Sequence, residues 1–122
     1  MEIVRLFSGP DGESHFADAE IELNLIDYVS SAPPLYLSES KSANQFGFMR
    51  APAGWSSDWH PSSARNLFFV LSGEWEVTAS DGETRRFGVG SVLLVEDTTG
   101  KGHSSRVIGE TDSLAAMVQL ND

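Results

Sequence analysis

The 122-residue chain contains no cysteine, which excludes disulfides, thiolate zinc sites, iron–sulfur clusters and cysteine nucleophiles together. Basic residues are scarce as well. Eight Lys and Arg stand against eighteen Asp and Glu, for a formal net charge of −10. So acidic a chain repels phosphate backbones and anionic lipid headgroups and offers them few cations. Nucleic acid and membrane are therefore not expected partners, and a small organic molecule or a protein is. No stretch approaches the run of about 18 apolar residues that a membrane-spanning helix needs. The opening MEIVRLFSGPDGES lacks the basic start and apolar stretch of a secretory signal, so the expected location is cytoplasmic. Gly100-Lys101-Gly102-His103 does not have the G-x-x-x-x-G-K-[ST] spacing that cradles phosphate. No G-x-S-x-G elbow is present to support a hydrolase assembled from Ser62, His60 and Asp97. Repeats, low-complexity runs and linkers are missing too, and 122 residues hold one ordinary core rather than two.

What is present is a chain able to bury that core, with 40% apolar residues, seven Phe and three Trp. The apolar positions recur in short alternating runs. In Glu20-Ile21-Glu22-Leu23-Asn24-Leu25 every second residue is apolar, the period that puts them on one face of a strand. Strands are expected likewise at Leu35 to Leu37, Phe46 to Arg50, Asn66 to Leu71, Trp75 to Thr78, Thr84 to Phe87, Ser91 to Val95 and Arg106 to Ile108. Leu114 to Leu120 is read as a strand, although its Ala-Ala-Met centre also suits a short helix. Turn-forming clusters such as Pro52-Ala53-Gly54 and Gly88-Val89-Gly90 separate these runs. Asp81-Gly82 is a specific hairpin signal, because both residues accept the positive φ of a tight turn. Many short strands at this spacing point to an all-β sandwich or barrel.

Residues 54–73 carry a more specific pattern. Gly54, then His60, Ser62, Asn66 and Gly73, fall at the spacing G-x5-H-x-H-x3-E-x6-G and resemble the first cupin motif, with Ser and Asn at the second His and the Glu positions. Gly90 to Val107 is similar to the second motif, G-x5-P-x-G-x2-H-x3-N, with Glu96 for Pro, Thr98 for Gly, His103 two residues late and Val107 at the closing Asn. The blocks DGESHF, DWHP, LSGEWEV and EDTTGKGH resemble a subgroup of small bacterial cupins without an assigned activity. The resemblance implies a double-stranded β-helix, the cupin jelly-roll barrel of two antiparallel sheets. A single domain is expected over 1–122, its core barrel at about 44–120, with N-terminal strands in 2–40 packing on the barrel or on a dimer partner. Small cupins commonly cover their edge strands with a second copy, so a two-fold homodimer through Ile3 to Phe7 is expected.

The resemblance also implies a metal held by three His and one Glu, donors that suit zinc, manganese, iron or nickel. Only His60 and His103 occupy such positions here. Ser62 and Asn66 offer a neutral hydroxyl and amide, so no cofactor is certain and a divalent metal would need a third imidazole, for which His15 is the speculative candidate. The expected ligand pocket contains His60, Asn66, Phe68, Phe48, Arg50, Trp75 and His103, with Phe46 beside them. Arg50 is either an anion clamp or a solvated edge arginine. Asp97 either orients His103, acts as a base or caps an acidic turn. In the barrel, the strand from Asn66 and the strand from His103 are expected in one sheet, with the two imidazoles within about 8 Å. Two functions follow. One is a barrel that binds a small organic ligand without transforming it. The other is an enzyme, either a metal-dependent dioxygenase-like or isomerase-like cupin or one whose histidine moves a proton without metal.

Overall fold

A computed structural model describes residues 1–121. The chain forms eleven strands and, among the described residues, no helix. They are β1 (Glu2–Ser8), β2 (Ser14–Glu20), β3 (Asn24–Ile26), β4 (Leu35–Leu37), β5 (Ala43–Ala51), β6 (Asn66–Ser72), β7 (Glu74–Ala79), β8 (Thr84–Phe87), β9 (Val92–Glu96), β10 (His103–Ile108) and β11 (Ser113–Leu120). A six-stranded sheet runs β2-β1-β9-β6-β11-β5, a three-stranded sheet β10-β7-β8, and β3 and β4 pair only with each other. Among the described residues no helix is long and apolar enough to cross a membrane.

Alternation decides which residues fill the space between the sheets. Leu6, Phe16, Ala51, Val70 and Leu93 come from the larger sheet, and Trp75, Val77, Ala79, Phe87 and Val107 from the smaller. Each set occupies every second position of its strand, so the two inner faces meet as one core, the jelly-roll arrangement. At its centre the Trp75 indole donates to Ser113 Oγ at 2.6 Å, and that hydroxyl donates on to the Ser72 carbonyl at 2.8 Å. A buried indole N–H left without this acceptor would cost about 1–3 kcal/mol. Asp81-Gly82 turns β7 into β8 with Gly82 at φ 100°, placing Trp75 opposite Phe87 and Val77 opposite Arg85.

Three expectations change. Residues 21–23 are not strand; the chain leaves β2 at Glu20 and pairs again at Asn24. The alternation there is real, but Leu23 and Leu25 are exposed, so no buried face fixes it. Secondly, the sheets are not wholly antiparallel, because β1 runs parallel to β9, Val4 beside Leu93 and Leu6 beside Val95. Thirdly, this pairing and the antiparallel one with β2 use both edges of β1. Ile3 to Phe7 therefore has no free edge to give a second copy. The edges of the large sheet are β2 and β5, and on β5 Phe46 and Phe48 are 77% and 73% exposed.

One end of the barrel is tied by a charged cluster. His15 Nδ1 lies 2.8 Å from Asp81 in the β7–β8 turn, and Nε2 lies 3.2 Å from Asp11 in the β1–β2 turn. Hydrogen bonding to Asp11, and then to Asp81, raises the His15 pKa above its ordinary value. The Asp11 carboxyl is held below its own, chiefly by the Glu13 backbone N–H and then by His15. A raised histidine stabilises the fold fully below its unfolded pKa of about 6.5 and loses that contribution as pH rises through the folded pKa. A lowered carboxylate stabilises above its unfolded value of about 3.9 and loses its contribution as pH falls through the folded pKa. His15→Gln is thus expected to depress Tm more at about pH 5.5 than at about pH 8.5. A pH-independent gap between variant and wild type in thermal scans would refute the cluster's role.

Candidate functional site

Residues 55–60 run antiparallel along β10 without forming a regular strand. Val107 N donates to the Trp55 carbonyl, Ser57 N to the Ser105 carbonyl, and His60 and His103 exchange backbone hydrogen bonds of 3.0 Å in both directions. The two histidines are therefore a directly opposed cross-strand pair. Their rings stand 4.8 Å apart. Gly102 permits this approach: its φ is 74°, and a Cβ there would lie 2.1 Å from the His60 carbonyl carbon and oxygen. The sequence-based route to the pair was different. Residues 61–65 form no strand, and β6 and β10 lie in separate sheets, so membership of one sheet does not bring Asn66 and His103 together.

Behind His103 sits Asp97, the residue after β9. Its neighbour Glu96 is clamped on the outer face by Arg5 at 2.7 Å and Arg65 at 2.8 Å, and alternation turns Asp97 inward. The Asp97 side chain is wholly buried, and its Oδ2 accepts from His103 Nδ1 at 2.5 Å. That bond fixes the ring and leaves Nε2 as the free nitrogen. Asp97 Oδ1 is buried without a hydrogen-bond partner among the described residues, an uncompensated acceptor of the kind folds retain at working sites. The Asp97 carbonyl also accepts from Ser62 N at 2.9 Å, tying the loop after His60 to the same point.

These residues head a cavity of about 800 Å³ between the sheets. His60, Asn66, Phe68, Trp75 and His103 line it. Phe48 does not: it alternates with Met49 and Ala51 and points outward, with Phe46 and Arg50 on the same exposed face. Phe46 and Arg50, though exposed, line the cavity as well. His15 lies elsewhere, on the opposite side of β2 from buried Ser14 and Phe16, with both ring nitrogens engaged by carboxylates. Trp55 lines the wall too, and so do Met49 and Met117, which the sequence pattern does not single out. Only the alternation about Ala51 and Ala115 could have signalled the methionines.

The family model of the EutQ-like cupin domain matches residues 37–113. The chain belongs to this cupin family. Solved structures agree on the fold. The Cnp3 cupin domain of Schizosaccharomyces pombe is 22% identical with a TM-score of 0.55, covering 89% of this chain and 73% of its own. A predicted oxalate decarboxylase from Thermotoga maritima is 22% identical with a TM-score of 0.51, covering 84% and 95%. The Drosophila melanogaster CENP-C solved bound to CAL1 is 13% identical with a TM-score of 0.51, covering 81% and 79%. No curated protein matches significantly.

A divalent metal is common in cupins, and the donors of this cupin do not fit one. Ser62 Oγ donates to the Ala64 carbonyl at 2.6 Å, and Asn66 Nδ2 donates to the same carbonyl at 2.9 Å and to Ser62 Oγ at 3.3 Å. The side chains at two ligand positions of the motif thus serve their own loop. His60 and His103 remain, and no group of three or more ligating side chains exists among the described residues. Two imidazoles are too few for a tightly held ion.

Proposed function

We propose that this cupin binds a small organic molecule in the cavity between its sheets, with His103 as the directed polar contact and His60 at the mouth. The observation that carries the reading is the buried Asp97 fixing His103 in the wall of a largely apolar cavity. A carboxylate taken out of water to orient one imidazole is costly unless that imidazole has a task. The predicted oxalate decarboxylase from Thermotoga maritima, at 22% identity, lends the fold and not a substrate. Screening neutral fragments by NMR is expected to give hits that move the His103 and Trp75 indole resonances. In Asp97→Asn, hits touching His103 should weaken by about tenfold, one charge-assisted bond, while hits confined to Trp55 should not. Hits mapping away from the cavity would end the proposal.

The dyad favours a second reading, metal-free proton transfer, in which Nε2 accepts a proton from a carbon next to a carbonyl. Deuterium incorporation from heavy water into a carbonyl-bearing hit, lost in Asp97→Asn, would support it.

The proposal keeps a cytoplasmic setting and a homodimer, the latter moved from β1 to β5. Phe46 and Phe48 on the free edge, with Leu25, Tyr28 and Tyr36 around the β3–β4 hairpin, are all at least 60% exposed. An apolar edge of this kind invites a second chain. Sedimentation equilibrium is expected to give a dimer that Phe46→Lys/Phe48→Lys converts to the 13.3 kDa chain; a wild-type monomer at micromolar concentration would remove it.

A further inference from the structure

The chemistry of the cavity wall narrows what it can hold. Trp75 packs edge-on against Trp55, ring centroids 5.7 Å apart, and against Phe68 at 5.5 Å. These rings and Met117 make a broad aromatic and thioether surface, suited to a flat ring. No carboxylate lines the cavity among the described residues, and the one Lys or Arg in its lining, Arg50, is solvent-exposed, so water competes for its charge.

The polar side chains of the wall are largely spoken for. Gln45 Nε2 donates to Gln119 Oε1 at 2.6 Å, and the Ser105 hydroxyl lies 3.3 Å from that of Ser57. Ser62 and Asn66 bond to each other and to Ala64. A polyhydroxylated ligand such as a sugar would meet groups already paired and leave its own hydroxyls unsatisfied, which costs more than the burial returns. An anion would be desolvated with only the exposed, water-screened Arg50 to receive it. The imidazoles are different. His60 Nδ1 faces the Pro61 carbonyl at 3.2 Å and His103 Nδ1 is held by Asp97, so each ring has only Nε2 to offer, and in His103 the bond to Asp97 makes that nitrogen an acceptor.

Resting on the small-molecule reading above, we infer that the ligand is a neutral ring compound carrying a hydroxyl group, phenol-like in its chemistry. The hydroxyl donates to His103 Nε2 and the ring lies against Trp75 and Phe68. The molecule is recognised by one directed hydrogen bond beside an aromatic surface, and charge is disfavoured because the one Lys or Arg of the lining, Arg50, is exposed to water.

Three matched probes test this: 2-naphthol, naphthalene and 2-naphthoate, titrated into the wild-type protein by calorimetry and ligand-observed NMR. 2-Naphthol is expected to bind about tenfold more tightly than either of the others, the ratio one well-made hydrogen bond supplies. His103→Phe should abolish the preference over naphthalene while naphthalene still binds. If that variant does not fold, the wild-type His103 Nε2 nitrogen resonance serves instead, shifting with 2-naphthol and not with naphthalene. Equal binding of naphthol and naphthalene, or a silent Nε2, would overturn the hydroxyl assignment and leave the binding cavity standing. Tightest binding by the naphthoate would overturn the neutral-ligand inference. Failure of all three to bind folded protein would remove the small-molecule reading itself.

Discussion

Gly102→Ala is expected to cost about 2–6 kcal/mol of stability, a large share of the roughly 5–15 kcal/mol a domain possesses. Two terms add. A non-glycine residue held at positive φ is strained by about 1–3 kcal/mol, and overpacking costs a further 1–3 kcal/mol or so. The second term is severe at Gly102, because the new methyl would lie 2.1 Å from the backbone of His60 and 2.2 Å from the nitrogen of Pro61, and backbone cannot rotate aside as a side chain tip does. The variant can fold only by parting residues 55–60 from β10, which separates His60 from His103. Gly82→Ala is the control: Gly82 has φ 100°, yet its Cβ would meet nothing within 4 Å, so only the strain term applies. Urea denaturation should show the larger loss at Gly102, accompanied by loss of ligand-induced shifts at His103. Equal losses at the two glycines would show that the close approach contributes nothing.

Ser62→His combined with Asn66→Glu is expected to tighten divalent-metal binding on the order of 100-fold or more over wild type, because affinity follows donor type and number. All four positions line one cavity, and the two replaced side chains now serve only the Ala64 carbonyl and each other. Exchanging them for imidazole and carboxylate would give three nitrogen donors and one oxygen. Calorimetric titration with manganese, nickel and zinc reads the effect directly. A wild-type protein that already took one equivalent at sub-micromolar affinity would overturn the conclusion that its donors do not fit a metal. A double variant that bound no more tightly than wild type would mean that the loop after His60 does not present residues 62 and 66 in motif geometry.

The strands best legible in the sequence were those with one buried face and a marked turn. Thr84 to Phe87 is bounded to the residue and Leu114 to Leu120 to within one, whereas Leu35 to Leu37, bounded as closely, has no buried face. β1 and β2 are legible only as unbounded N-terminal strands within 2–40, since VRLFS and SHFADAE mix charged and apolar residues, among them Arg5 and Asp18, which form ion pairs with Glu96 and Arg85. The histidine pair was suggested by motif spacing, but the force that assembles it was not. That depends on Gly102 and on a loop pairing with β10, a long-range register that no local pattern encodes. Phe48 was misplaced toward the interior for a related reason: Phe46, Phe48 and Arg50 alternate as regularly as a core face does, and only the position of β5 at a sheet edge tells which face is wet. Asp97 was weighed between a turn cap and a histidine partner; its burial, which a sequence does not display, distinguishes them.

Strand order has a consequence for synthesis. β5 and β6 follow one another in the chain but do not pair; β11 lies between them, hydrogen-bonded to both along nearly its whole length. Until Ser113 to Leu120 have left the ribosome, β5 has no neighbour, Met117 and Gln119 are missing from the cavity wall, and Trp75 has no Ser113 to bond. The nascent chain can assemble β7–β8 and the strands around β9 as it emerges, but the slot closes in a single late step. A ribosome stalled within β11 would therefore display a half-barrel with its aromatic lining open to chaperones.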